Sequence, residues 1–266
     1  MSLKLSFKLF LVGLSLLLVG TLAPAGAATA LKVGASPTPH AQILELVKPQ
    51  LAKEGIDLQI VVFQDYVQPN LALAEGELSA NYFQHIPYLD QFSKDHKLDL
   101  TYIAKVHIEP IGVYSSKIKS LKDLKNNAVV GIPNDPTNGG RALLLLQQAK
   151  LIELKKGAGL AATELDIASN PKKLQFKPLE AAQLPRALPD LDIAIINTNY
   201  ALSINLVPTK DALFIENSES PYVNILAVRT KDKSNSDLQK LAKALNSDAV
   251  RDYILTTYKG SIVPAF

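Results

Sequence analysis

Residues 128–146 read AVVGIPNDPTNGGRALLLL. An apolar, partly β-branched run gives way to a segment rich in Pro, Asn, Asp and Gly, and then to four consecutive leucines. This is strand, turn and helix, the repeating unit of an α/β protein. The pattern predicts a strand over 128–132 and a helix over 141–154. Asn138 is the expected N-cap, because its side-chain oxygen can accept a hydrogen bond from an otherwise orphan backbone N–H. Arg141 then falls in the first turn, where the helix dipole disfavours a cation. One reading is that a carboxylate or phosphate docks there, since a helix start attracts anions and a guanidinium can grip a carboxylate with two parallel hydrogen bonds. The other is a surface arginine whose stem covers apolar neighbours, with Asp135 as a candidate partner. No G-x-x-x-x-G-K-[ST] occurs, so a phosphate-binding P-loop is not implied.

The alternation extends in both directions. A strand over 31–35 opens the series, and Ser36-Pro37-Thr38-Pro39 breaks it. Thr38 is the expected cap of a helix over 40–54, with Pro39 at its first position and Ile43, Leu44, Val47 and Leu51 as its apolar stripe. Gly55 ends it. A buried strand (58–63), a short helix (69–75), a strand (78–83), a helix (86–96) and strands at 100–106 and 110–114 follow. The series then restarts after a capped turn at Ser120. Beyond 128–154 come short extended pieces at 166–167 and 174–177, a helix over 180–188 and a buried strand over 192–196. A helix over 199–205, strands at 212–215 and 222–228, and helices at 236–246 and 247–258 complete it. Two such series imply two α/β lobes, each a mostly parallel sheet flanked by helices. Lobe one comprises 31–115 plus 222–266 and lobe two 116–221. Ligands of such sheets bind beyond the carboxyl ends of the strands, so the site is expected between the lobes, on strand-end loops.

The chain is 47% hydrophobic and 20% charged, enough to bury a substantial core. It has no cysteine, which excludes disulfides, thiolate metal sites and cysteine nucleophiles. Residues 1–30 have the layout of a cleavable secretory signal: two lysines, the apolar run LFLVGLSLLLVG, then small residues with A-x-A sites at Ala25-Gly26-Ala27 and Ala28-Thr29-Ala30. The apolar run is shorter than the roughly 20 residues of a membrane span. Without residues 1–30 the chain has 26 basic residues against 25 acidic ones. No basic stripe with interleaved aromatics marks a nucleic-acid surface. A periplasmic protein without a membrane span is expected.

Five strand-end segments carry candidate chemistry. The first is Arg141. The second, Asn81-Tyr82-Phe83-Gln84-His85-Ile86-Pro87-Tyr88, crowds aromatics and a histidine at a strand-to-helix junction. Aromatic walls suit a small ligand with an apolar side chain, although any one of these rings could equally be core. Tyr82 and His85 are the better candidates, since their polar ends need partners if buried. The third is His107 in VHIEP, which could meet a ligand or cap a local turn. The fourth is Asn197 in INTNY, a ligand acceptor or a helix cap. The fifth is Asn224 in YVNIL, where an asparagine inside a strand needs hydrogen bonds if buried. The histidines form no H-x-x-H or H-E-x-x-H pair, so neither metal nor cofactor is expected. No G-x-S-x-G elbow and no paired strand-end carboxylates point to catalysis. The set suits a zwitterion with a large apolar side chain.

The segments VGASPTPHAQILELVKPQLAKEGIDLQIVVFQDYVQPNLALAEGELSANYFQHIPYLDQF, HIEPIGVYSSKIKSLKDL, GIPNDPTNGGRALLLLQ, LEAAQLPRAL, IAIINTNYAL and SPYVNILAVR strongly resemble the methionine-binding (MetQ/NlpA-type) substrate-binding proteins of ABC importers. The likeness runs in order through nearly the whole chain after residue 30. It implies a two-lobed periplasmic-binding-protein fold, a monomer that is not an enzyme, and delivery of the ligand to a permease with its ATPase. The implied ligand is L-methionine, with D-methionine, a methionine-containing dipeptide or another amino acid as alternatives. By this resemblance Arg141 holds the ligand carboxylate, and Asn197 and Asn224 bind its polar amino-acid end. Tyr66, Tyr82, Phe83, His85 and His107 wall the thioether pocket. In one respect the chain departs from the family. Members are often lipoproteins anchored through a cysteine, and this sequence has none.

Overall fold

The computed structural model describes residues 28–217 and 220–266. The expected export segment therefore lies outside the described residues, save for its last three positions. The chain first forms β1 (Thr29–Ala35), α1 (Gln42–Lys53), β2 (Ile56–Val62), α2 (Gln68–Glu75), β3 (Ala80–His85), α3 (Ile86–His96) and β4 (Leu100–Ile108). It crosses to a second sheet through β5 (Gly112–Tyr114), β6 (Val129–Pro133), α4 (Pro136–Gln148) and a small ribbon of β7 (Glu153–Leu154) with β8 (Ile167–Ser169). There follow β9 (Gln175–Leu179), α5 (Leu184–Ala187), β10 (Ile193–Ile196), α6 (Thr198–Ser203), α7 (Pro208–Asp211) and β11 (Phe214–Ile215). It then returns as β12 (Val223–Arg229), α8 (Ser236–Leu245), α9 (Asp248–Tyr258) and β13 (Val263–Pro264).

The first sheet has the order β13-β4-β12-β3-β1-β2 and the second β11-β5-β10-β6-β9. The strands β1, β2 and β3 pair in parallel, as do β6, β9 and β10. The strands nearest the crossings do not. β12 runs antiparallel to both β3 and β4, and β5 antiparallel to β10 and β11. The sheets are thus mixed rather than mostly parallel. The first crossing lies between Ile108 and Gly112, a few residues before the expected boundary at Ser115, because β5 already belongs to the second sheet. The return lies between Ile215 and Val223.

Helices α1, α8 and α9 cover one face of the first sheet through Ile43, Leu44, Val47, Leu51, Leu241, Leu245 and Ile254. The second sheet is covered by the leucines of α4 on one side and by Leu184, Leu188 and Tyr200 on the other. Its inner strands β5, β6 and β10 are apolar throughout because both faces are covered, whereas the edge strand β9 exposes Gln175 and Lys177.

Some local expectations fail for identifiable reasons. LQIVVF reads as a buried strand, yet β2 is the sheet edge and its Val61 and Val62 are exposed. Thr38 does not cap α1. It is extended (φ −132°, ψ 133°), and regular α-helix begins at Gln42. The helix expected over 141–154 is α4, which starts five residues earlier and ends at Gln148. Asp135, not Asn138, is its N-cap, with Pro136 at the first position. The two glycines that look like a turn lie inside α4. They bring the helix against the loop around Leu160, where a methyl group on Gly140 would collide with the Leu160 carbonyl oxygen.

Candidate functional site

A small pocket lies between the lobes. From lobe one it is lined by Tyr66, Phe83, Gln84, His85, Tyr88 and Asn224, from lobe two by Asn138, Arg141, Asn197, Thr198 and Asn199, and at the crossing by Glu109. These residues sit where the sheet order places them, at the carboxyl ends of β3, β6 and β10 and on the crossing segments. The cleft is closed. Tyr66 Oη donates to Asn199 Oδ1 at 2.6 Å, Tyr200 Oη to the Gln64 carbonyl at 3.0 Å, and His85 Nε2 to Asn138 Oδ1 at 3.1 Å, each bond joining one lobe to the other.

Arg141 is buried but is not an isolated cation. Its Nε and Nη2 donate to the two oxygens of Glu216 at 3.0 and 2.5 Å, and Nη2 also donates to the Glu109 carbonyl at 2.8 Å. The guanidinium lies 4.1 Å from the centre of the Tyr222 ring. Arg141 therefore ties together both segments on which the chain crosses between lobes. The idea that Arg141 and the helix start act on one external anion is corrected here. The first turn of α4 already holds the protein's own carboxylate: Asp135 accepts from the Asn138 N–H at 2.9 Å and from Thr137 Oγ1 at 3.0 Å. Arg141 sits a turn further on and is neutralised by Glu216.

The sense of each pocket amide follows from its partners. Asn138 Nδ2 faces both oxygens of Asp135 at 3.0 Å, so its Oδ1 must accept. It accepts from His85 Nε2 and, at 2.8 Å, from Asn197 Nδ2. His85 Nδ1 in turn accepts the Tyr88 N–H at 3.1 Å, which fixes the ring proton on Nε2. Asn197 Oδ1 is thereby directed away from Asn138. It is buried and has no hydrogen-bond partner among the described residues. Asn224 has the opposite sense. Its Oδ1 receives His40 Nε2 at 2.9 Å, which leaves its amide N–H groups as donors for the pocket. The pocket thus holds an unpaired acceptor on lobe two and spare donors on Asn224.

Tyr82 and His107, both expected in the pocket wall, do not line it. Tyr82 points into the core beneath α1, and its hydroxyl meets His107 Nδ1 at 2.5 Å. Both side chains are fully enclosed behind the pocket. His107 Nε2 approaches Glu109 Oε1 at 2.7 Å, and His40 Nε2 approaches the same oxygen at 3.3 Å. Burial holds His40 down to about 4 and His107 to about 3. Burial, with the nearby Arg141 charge second, holds His85 to about 3, and burial raises the Glu109 carboxyl. All three rings are neutral near pH 7. Ligating atoms of His40, His107 and Glu109 lie within 4.8 Å of one another, a set that could hold a metal ion, but His40 Nε2 is already engaged by Asn224 and His107 Nε2 by Glu109.

Of the expected residues, Tyr66, Phe83, His85, Arg141, Asn197 and Asn224 come together. Sequence reasoning missed Glu109, Asn138, Asn199 and Glu216. Glu109 lay within the quoted VHIEP and Asn199 within INTNY, and Asn138 had been assigned to capping. Nothing in the sequence around Glu216 marks it.

A closed, two-lobed α/β cleft with an apolar wall at one end and paired amides at the other defines a substrate-binding protein. The model of the NlpA lipoprotein family matches residues 31–266, and the chain belongs to that family. It is 46% identical over 256 residues to the D-methionine-binding lipoprotein MetQ of Salmonella typhimurium, covering 92% of this chain and 94% of the relative. With the protein of that name from Escherichia coli K12 it shares 46% over 237 residues, 88% of this chain and 87% of the relative. Among solved structures, a nutrient binding protein from Burkholderia cenocepacia bound to methionine superposes with a TM-score of 0.86 at 50% identity, covering 89% of this chain and all of that one. The methionine binding protein MetQ superposes with a TM-score of 0.87 at 44% identity, covering 89% and 98%.

Proposed function

We propose that this protein captures methionine in the periplasm, the L form first, and delivers it to the permease and ATPase of an ABC importer. The observation that carries this reading is the opposed sense of the pocket amides. An ammonium group supplies the donor that Asn197 Oδ1 lacks, and a carboxylate accepts from Asn224 and from Arg141. Because Glu216 occupies the Nε–Nη2 edge of the guanidinium, the ligand meets Arg141 end-on through Nη1 rather than through a two-pronged grip. Glu109 and Glu216 balance Arg141, so a zwitterion suits the pocket better than a bare anion. Tyr66, Phe83 and Tyr88 supply an apolar wall for the thioether.

Capture rather than turnover fits a site in which both nitrogens of the histidine lining it, His85, are engaged by the protein itself. The reading includes a monomer exported by its amino-terminal segment. No helix among the described residues is long and apolar enough to cross a membrane. The D enantiomer is the second reading, favoured by the names of the curated relatives. Isothermal titration with each enantiomer separates the two. One site filled by L-methionine with micromolar or tighter affinity is expected. Heat from neither form would overturn the proposal, and native mass spectrometry of the purified protein would then show which other ligand travels with it.

A further inference from the structure

Glu109 stands at the first crossing, between the last residue of β4 and the first of β5, and its buried side chain reaches both lobes. Oε1 meets His107 Nε2 at 2.7 Å and His40 Nε2 at 3.3 Å, both in lobe one. Oε2 accepts the Asn199 backbone N–H at 3.0 Å, at the start of α6 in lobe two. The neighbouring backbone belongs to lobe two as well: the Glu109 carbonyl accepts from Arg141, and the Pro110 carbonyl from Thr198 Oγ1 at 2.5 Å. We propose that the Glu109 carboxylate is the latch of the closed cleft, a positioning residue that bridges two lobe-one histidines to the first turn of α6.

Any rotation about residues 109–111 that parts the lobes must break one side of this bridge. A buried carboxylate that loses one side loses a charge-assisted hydrogen bond in an apolar setting, which is costly. The latch also meets the ligand site on both flanks. Asn199 takes the Tyr66 hydroxyl on its Oδ1, and His40 fixes the sense of the Asn224 amide. Closure and the arrangement of the pocket amides are therefore set by one group. The histidines suit this task because burial keeps them neutral.

The inference rests on the capture reading only for its choice of ligand, and the experiment keeps the two apart. Small-angle scattering is recorded on the full chain without ligand and with saturating L-methionine, for the natural protein, Glu109→Ala, Glu109→Asp and Glu109→Gln. The ligand-free Ala and Asp variants should be more extended than the natural protein. Asp keeps the charge but lacks the reach to Asn199, and it serves if Ala does not fold. Gln, whose amide oxygen can still accept the Asn199 N–H, should restore the compact form. In titration, Ala and Asp should bind on the order of tenfold or more weakly, because a smaller share of molecules is closed, and saturating ligand should return them to compactness. Ligand-free Ala and Asp variants as compact as the natural protein would overturn the latch. A natural protein that ignores methionine would overturn the capture reading and leave the ligand-free scattering to judge the latch alone.

Discussion

Asn197 and Arg141 both line the pocket, yet their loss should have different consequences. Asn197 Oδ1 is unpaired without a ligand, so Asn197→Ala removes an acceptor that the empty protein does not use, together with the Nδ2 donor to Asn138 Oδ1, which His85 still satisfies. Methionine affinity should fall by about 10- to 100-fold while the melting temperature changes little. Arg141→Ala removes the proposed carboxylate partner of the ligand and also strands the buried Glu216 carboxylate. Breaking a buried pair in this way costs about 3–5 kcal/mol. Titration should show lost binding and a thermal melt should show a large fall in stability. An Arg141→Ala protein that melts like the natural one would contradict the structural role assigned to the pair. The strand-end loops of the sequence named His85, Arg141, Asn197 and Asn224, all of which line the pocket, whereas Phe83 entered only through the family resemblance. They preferred Tyr82 to Phe83, and the structure reverses the two, because neighbouring strand residues point to opposite faces and the register of β3 against its neighbours decides which face the cleft occupies. Glu216 was invisible for another reason. It pairs with a residue 75 positions away, and only the return of the chain to lobe one brings the two together.

Among the elements, α4 shows what a local pattern can and cannot carry. Its leucines announce a helix, and its start is encoded by Asp135-Pro136, an N-cap followed by a proline that needs no N–H partner. The two glycines misled because their reason is close approach: a side chain on Gly139 would meet the Pro133 carbonyl oxygen, and one on Gly140 the loop near Leu160. Gly140→Ala should therefore destabilise despite alanine's better helix propensity, by about 1–3 kcal/mol as an overpacked site. A thermal melt checks this, and a stabilised variant would refute the close approach. The start of β1 bears on export. Thr29 and Ala30 pair with Ile56 and Asp57, so processing after Ala30 would remove the first two residues of a strand, whereas processing after Ala27 leaves it whole. The intact mass of the exported protein should correspond to a chain beginning at Ala28.

For the whole molecule, the buried histidines set an acid limit. His40, His85 and His107 titrate at about 4, 3 and 3 when folded, against 6.5 for an ordinary histidine. Between pH 6.5 and 4 the unfolded chain therefore takes up protons that the folded chain refuses. Their contribution is complete above pH 6.5 and is lost as the pH falls towards the folded values. Glu109, raised by burial, acts in the opposite sense: its contribution is lost as the pH rises through its folded value. It is one group against three. The melting temperature should drop steadily from pH 6.5 to 4.5, and a flat profile would show that the rings are less enclosed than described.

The position of β12 has a consequence for how the chain acquires its shape. The second sheet is built from one continuous stretch, 112–215, and can assemble as soon as that stretch is available. The first sheet cannot, because β12 is its internal strand, wedged between β3 and β4, and is supplied by the last quarter of the sequence. Pairings that span more than a hundred residues form slowly. During translocation lobe two should thus mature first. Until β12 arrives, the edges of β3 and β4 stand open, the interval in which a chaperone would find this protein.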